Sequence, residues 1–140
     1  MADVIVRSLG NLRQEIAAGA HTFFADEPVD DGGDDTGPNP YELLLGALGA
    51  CTSMTLLLYA RRKGWPLEGV EVRLSHRRDY AQDCEECVER PMRIDVIDRR
   101  ITLHGALDDA QRARLLEIAA RCPVHRTLTG TVRINDHLEG

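Results

Sequence analysis

Four thiols are the residues of this chain best equipped for chemistry, and they fall into two kinds. Cys84 and Cys87 form a lone C-x-x-C within a polar segment. Such a pair is half of a tetrahedral zinc site; a second copy of the chain, or His76 and Asp83, would have to complete it. The ligand set is incomplete, so a plain loop is the favoured reading, and neither metal nor cofactor is expected. Cys51 and Cys122 lie instead in apolar settings. Cys51 is flanked by the small residues Gly49, Ala50, Thr52 and Ser53. Cys122 precedes Pro123, which makes it the N-cap of a short helix over Val124–Leu128. There it faces free backbone N–H groups that favour a thiolate. Buried free cysteine is commonly an inert small hydrophobe. The residues by themselves therefore leave two readings open, a pair of thiols that meet in the fold or two pieces of core.

The elements that must position these sulfurs can be read from pattern. Around Cys51, Leu43 to Ala60 carries no charge over 18 residues. Gly37-Pro38-Asn39-Pro40 opens this run with a turn, an N-cap and a proline at the first helical position. Arg61, Arg62 and Lys63 close it with cations where a helix C-terminus favours them. Apolar residues occupy every face, which calls for burial on all sides. At 1.5 Å per residue the helix would be about 33 Å long, too long for one such chain to cover, so a homodimer is expected. Upstream, Val4–Val6, Arg13–Ala18 and His21–Ala25 read as strands, the last two joined as a hairpin at Gly19. Asp26 to Thr36 reads as a solvated acidic loop; a calcium loop laid from Asp31 fails because Thr36 falls at the glycine position. Downstream, Val70–Arg78 alternates as a half-buried strand, and Asp79–Pro91 reads as a polar loop. Met92–Leu103 follows as a long strand, with an irregularity at Asp98-Arg99-Arg100. A second helix starts near Asp108 with Gln111 placed for a capping box, and Thr131–Ile134 closes the chain as a strand. The order β-β-β-α-β-β-α-β gives an α+β class, antiparallel sheet packed on helices, in one domain over residues 1–140.

Composition excludes some functions. The 140 residues carry a net charge of −6, which argues against a nucleic-acid surface. The uncharged run reaches the length of a membrane span. Gly46, Gly49, Thr52, Ser53 and Thr55 within it, and Glu42 at its entrance, favour a central buried helix and no membrane. MADVIVRSLG has no apolar leader core. Free thiols without a leader point to a reducing compartment, the cytoplasm.

Asn39-Pro40, the run Leu-Gly-Ala-Leu-Gly-Ala-Cys ending at Cys51, and Cys122-Pro123-Val124 together resemble the OsmC/Ohr family of thiol peroxidases. The likeness extends over nearly the whole chain. It is nearest to a branch carrying an ADEP segment (Ala25 to Pro28), an NPYELL opening and a CPVHRTL ending. The resemblance implies an OsmC-like fold in an intertwined homodimer, with a peroxidatic Cys51, a resolving Cys122 and an external dithiol as reductant. It implies small organic hydroperoxides as substrates, and a role as an antioxidant in the oxidative stress response. It further implies an activating arginine from the N-terminal strands, Arg13 ahead of Arg7, held by a glutamate after Asn-Pro. Tyr41 occupies that place here and Glu42 follows it, turned by about 100° on a helix. His125 and Arg126 are an alternative source of positive charge near Cys122, although a surface role is the favoured reading for both. The rival expectation is a non-catalytic binding module in which Tyr41 and the apolar helix line a pocket for a small apolar ligand.

Overall fold

The computed structural model describes residues 3–80 and 93–140. Cys84 and Cys87 lie outside them, as does most of the expected polar loop, whose first residues instead extend a strand to Tyr80. The chain forms two compact units, Met1–Leu44 and Leu45–Gly140.

In the first unit, β1 (Val4–Gly10), β2 (Arg13–Ala18) and β3 (His21–Ala25) form an antiparallel meander in that order. Asn11 and Gly19 make the two turns with left-handed φ of 46° and 60°, which asparagine and glycine tolerate best. Ile16 and Ala25 are buried, whereas Val4, Ile5 and Val6 of β1 are exposed. The acidic stretch after β3 is organised by one carboxylate. Asp26 is 2% exposed. It accepts hydrogen bonds from the backbone N–H of Glu27 (2.8 Å), Asp34 (3.3 Å) and Thr36 (3.1 Å), and from the Thr36 hydroxyl (2.6 Å). These donors, the Thr36 hydroxyl first, hold its carboxyl below the usual 3.8 against the opposing effect of burial. Gly33 is required in this loop, since a Cβ there would stand 2.0 Å from the Glu27 carbonyl oxygen. The segment is thus a fixed turn around a buried acid rather than only a solvated loop.

Helix α1 (Pro40–Lys63) begins where Asn39 and Pro40 place it. Its buried positions, Leu48, Gly49, Thr52, Leu56 and Ala60, form one stripe at helical spacing. The expectation of burial on every side is not met within one chain: Met54 is 62% and Leu58 51% exposed. One sheet and one helix contact only one face, and the rest of the apolar surface stays open. By length and composition α1 is the one described helix able to cross a membrane, with a mean hydropathy of 1.8.

In the second unit β4 (Gly69–Tyr80) and β5 (Arg93–His104) pair antiparallel over their full length. The register runs unbroken through Leu74↔Arg99 and Arg73↔Arg100, so the irregularity expected at Asp98-Arg99-Arg100 is absent. The inner face of β5 is Ile97, Arg99, Ile101 and Leu103, opposite His76, Leu74, Val72 and Val70. An arginine occupies an inward position, and this is what broke the apolar alternation in the sequence. Helix α2 (Asp109–Ala119) starts at an Asp108 N-cap with the capping box to Gln111 formed as expected. Leu115, Ile118 and Ala119 of α2 pack with Leu56 and Ala60 of α1 into the core. Helix α3 (Pro123–Thr129) follows directly. The closing strand expected at Thr131–Ile134 does not form. Residues 131–140 are exposed and irregular, and among the described residues no strand pairs with them. The class is α+β, with two antiparallel sheets and three helices.

Candidate functional site

Gly49 sets the site's depth. A Cβ there would lie 2.8 Å from Leu74 Cδ1, so glycine lets α1 approach β4 closely at this turn. Leu74 is the direct cross-strand partner of Arg99. The same approach therefore brings Thr52, three residues along α1, within reach of the Arg99 guanidinium. Arg99 Nη1 donates to Thr52 Oγ1 at 3.0 Å. The Thr52 hydroxyl donates its own proton to the Leu48 carbonyl at 2.7 Å, one turn back.

Both sulfurs meet the first turn of α3. Cys122 is the N-cap, fully buried, and its Sγ accepts the His125 backbone N–H at 3.2 Å. Cys51 is half-buried, and its Sγ accepts the Val124 backbone N–H at 3.5 Å. Pro123 has no N–H, so the first two amides this turn can offer are divided between two sulfurs 71 positions apart. Thr52 Oγ1 lies 3.9 Å from Cys122 Sγ. Both thiols are free. The expected N-cap role of Cys122 and the helix after it are therefore in place, and Cys51 and Cys122 are brought to one spot.

Arg99 continues the cluster. Its Nη2 stands 3.2 Å from His125 Nδ1. Burial, and then the Arg99 charge, hold the His125 imidazole below its usual 6.5. Among the described residues Arg99 makes no ion pair. A cavity of about 350 Å³ opens beside these groups, with apolar walls from Leu48, Ile97, Ile101, Leu116 and Leu128. Arg99, His125, Asp95 and Thr129 are its polar edge, and Tyr41 does not line it. Asp95 is already engaged, 2.8 Å from His76 Nε2.

The other expected site residues are placed elsewhere. Arg13, in the first unit, lays its guanidinium 4.3 Å above the Phe24 ring, and its buried Nε has no hydrogen-bond partner among the described residues. Glu42 caps α1: its Oε1 accepts the Asn39 N–H at 3.1 Å while Asn39 Oδ1 accepts the Glu42 N–H at 2.8 Å. Arg126 is exposed. Sequence reasoning missed Arg99 and Thr52. The signal for Arg99 was its place in the alternation of Ile97, Ile101 and Leu103, and for Thr52 its place four residues from both Leu48 and Leu56.

Such a cluster can carry thiol redox chemistry: two free sulfurs, amide donors aimed at them, a guanidinium, and an apolar cavity alongside. A family model described as OsmC-like protein matches residues 32–135. No curated protein matches the chain in sequence. Among solved structures, the chain is similar to an OsmC-like protein from Mycoplasma pneumoniae, with 18% identity over 93% of this chain and 88% of that one and a TM-score of 0.73. An organic hydroperoxide resistance protein from Elizabethkingia anophelis aligns over 93% and 89% at 17% identity, TM-score 0.67. An organic hydroperoxide resistance protein, OsmC, from Legionella pneumophila aligns over 91% and 90% at 18% identity, TM-score 0.60. At these identities the likeness is one of fold.

Proposed function

Because this chain belongs to the OsmC-like family, we propose that it is a thiol-dependent reductase of organic hydroperoxides. Cys51 is the peroxidatic sulfur and Cys122 the resolving one. The carrying observation is that neighbouring amides of one helix start, Val124 and His125, each donate to a different one of the two sulfurs. In the first step the Cys51 thiolate attacks the terminal peroxide oxygen. The S–O bond forms, the O–O bond breaks, and the alkoxide leaves and takes a proton from solvent. Sulfur is oxidised by two electrons to a sulfenic acid and the peroxide is reduced to an alcohol. Cys122 then displaces the hydroxyl, forming a disulfide and releasing water, and an external dithiol restores both thiols by exchange. The half-buried sulfur reacts with substrate and the buried one waits for it, which fits their exposures. The apolar cavity walls favour an organic hydroperoxide over hydrogen peroxide. Arg13 is carried over from the family pattern as the activating arginine, without Glu42, which is occupied as a cap.

The open apolar face of α1, with Met54 and Leu58, and the exposed β1 residues Val4, Ile5 and Val6 support a homodimer whose subunits cover one another. In this assembly residues 1–140 act as one OsmC-like domain in the reducing cytoplasm, on the side of antioxidant defence.

The test is dithiol-dependent consumption of cumene hydroperoxide. Cys51→Ser abolishes it. Cys122→Ser stops after one turnover and leaves a sulfenic acid at Cys51 that dimedone traps. Wild-type rates from Cys51→Ser would refute the assignment. Sedimentation gives a dimer at micromolar concentration; a monomer removes the subunit-covering part. The cavity also favours a second reading, a binding module for a small apolar ligand with incidental thiols. That reading predicts binding of the ligand by wild-type protein that consumes no peroxide.

A further inference from the structure

We infer that Arg99 fixes His125 as the tautomer protonated on Nε2, and that this N–H is the hydrogen-bond donor the cavity presents to the oxygen leaving a cleaved peroxide. The second half rests on the reductase reading.

A guanidinium donates and never accepts. Arg99 Nη2 stands 3.2 Å from His125 Nδ1, so Nδ1 must be the acceptor in that contact. A neutral imidazole with Nδ1 accepting carries its proton on Nε2. Arg99 is itself held from the other side, its Nη1 bonded to the fully buried Thr52, whose own proton is committed to the Leu48 carbonyl. The chain of donors has one direction, and the ring cannot turn its Nδ1 into a donor without breaking it. The second ring proton would set N–H against N–H and charge against charge. Burial opposes that charge as well, so the ring stays neutral below the ordinary 6.5.

Among the described residues, few titratable groups stand near His125. From β5 these are Arg99 and Asp95, and Asp95 is engaged with His76 at 2.8 Å and Arg78 at 3.7 Å. From α1 the nearby titratable group is Cys51; His125's own segment carries Cys122 and Arg126. Helix α2 adds the apolar Leu116 to the cavity. His125 and Arg99 both line the cavity, among apolar walls where a hydrogen bond to developing charge counts for most; neither sulfur is among its lining residues, and the link to them runs through His125, whose backbone N–H bonds Cys122 Sγ. The imidazole N–H acts by hydrogen bonding, and its proton stays in place because an imidazolate among apolar walls would be an uncompensated buried charge. It stabilises the departing alkoxide, which is then protonated by solvent.

Nitrogen-15 NMR of the histidine rings reads the first half without turnover. In wild type the His125 Nε2 resonance is that of a protonated nitrogen and Nδ1 that of an acceptor, with a titration midpoint below 6.5. In Arg99→Met the tautomers mix and the midpoint rises. A protonated Nδ1 in neutral wild type overturns the assignment. For the second half, His125→Gln, whose amide nitrogen falls near the place of Nε2, keeps kcat/KM for cumene hydroperoxide within about threefold. His125→Leu loses about tenfold to a hundredfold. Wild-type rates from His125→Leu overturn the donor role alone. Wild-type protein that leaves peroxide and both thiols untouched removes the reductase reading and the donor role with it, while the NMR result still decides the tautomer.

Discussion

Thr52→Val isolates the hinge between helix and arginine. The side chain is fully buried, and the change trades a hydroxyl for a methyl at nearly constant shape. The Leu48 carbonyl loses an extra donor but keeps its helical partner. The real loss is the bond from Arg99 Nη1 at 3.0 Å. A hydrogen bond from a charged donor contributes about 1.5–3 kcal/mol. Arg99 is only half-buried, so water can replace part of that, and the added methyl returns a few tenths by apolar burial. The net cost is about 1 kcal/mol, near 3 °C in Tm for a chain of this size. Urea unfolding of Thr52→Val, Arg99→Met and the double variant, all at one protein concentration, measures the coupling directly. The two changes together cost less than their sum by about 1 kcal/mol, and Thr52→Ser, which keeps the hydroxyl, shows most of the wild-type coupling. Additivity within about 0.3 kcal/mol would show that the bond contributes nothing and that Arg99 is positioned by something else.

Gly49→Ala gains about 1 kcal/mol of helix propensity, and its new methyl crowds only Leu74 Cδ1, the tip of a half-buried side chain that can turn aside. An unchanged or raised urea midpoint is expected, and a loss of more than about 1 kcal/mol would show that the Leu74 tip cannot yield. Leu115→Ala empties a fully buried position where α2 meets α1 and costs about 2–5 kcal/mol, read by the same assay. Asp26 has a depressed carboxyl, so the stability it adds is present above the unfolded value near 3.8 and is lost as pH falls through the lower folded value. Asp26→Asn should be less stable at neutral pH and lose less of its stability on acidification. An acid profile parallel to that of wild type counts against the buried-carboxylate turn.

What could be read from the chain alone is what local chemistry dictates. Asn39-Pro40 starts α1, Asp108 and Gln111 cap α2, and Cys122-Pro123 starts α3, because caps and prolines act within one turn of backbone. Gly19 places the β2–β3 hairpin for the same reason. Long-range facts were less legible. Arg99 reads in sequence as a break in β5 because a charge among inward residues contradicts burial; only the partners Thr52 and His125, remote in sequence, make that position tolerable. Asp26 was one acid among many until its donors at Asp34 and Thr36 were placed around it. Thr131–Ile134 reads locally as a strand, but a strand needs a partner that local sequence does not name, and no described strand pairs with it.

Disulfide mapping of reduced protein after one equivalent of cumene hydroperoxide tests the central claim most directly. The account predicts a peptide pair joined through Cys51 and Cys122 with loss of both free thiols, reversed by a dithiol. Recovery of Cys51 and Cys122 as unmodified thiols, with the peroxide unconsumed, would contradict it.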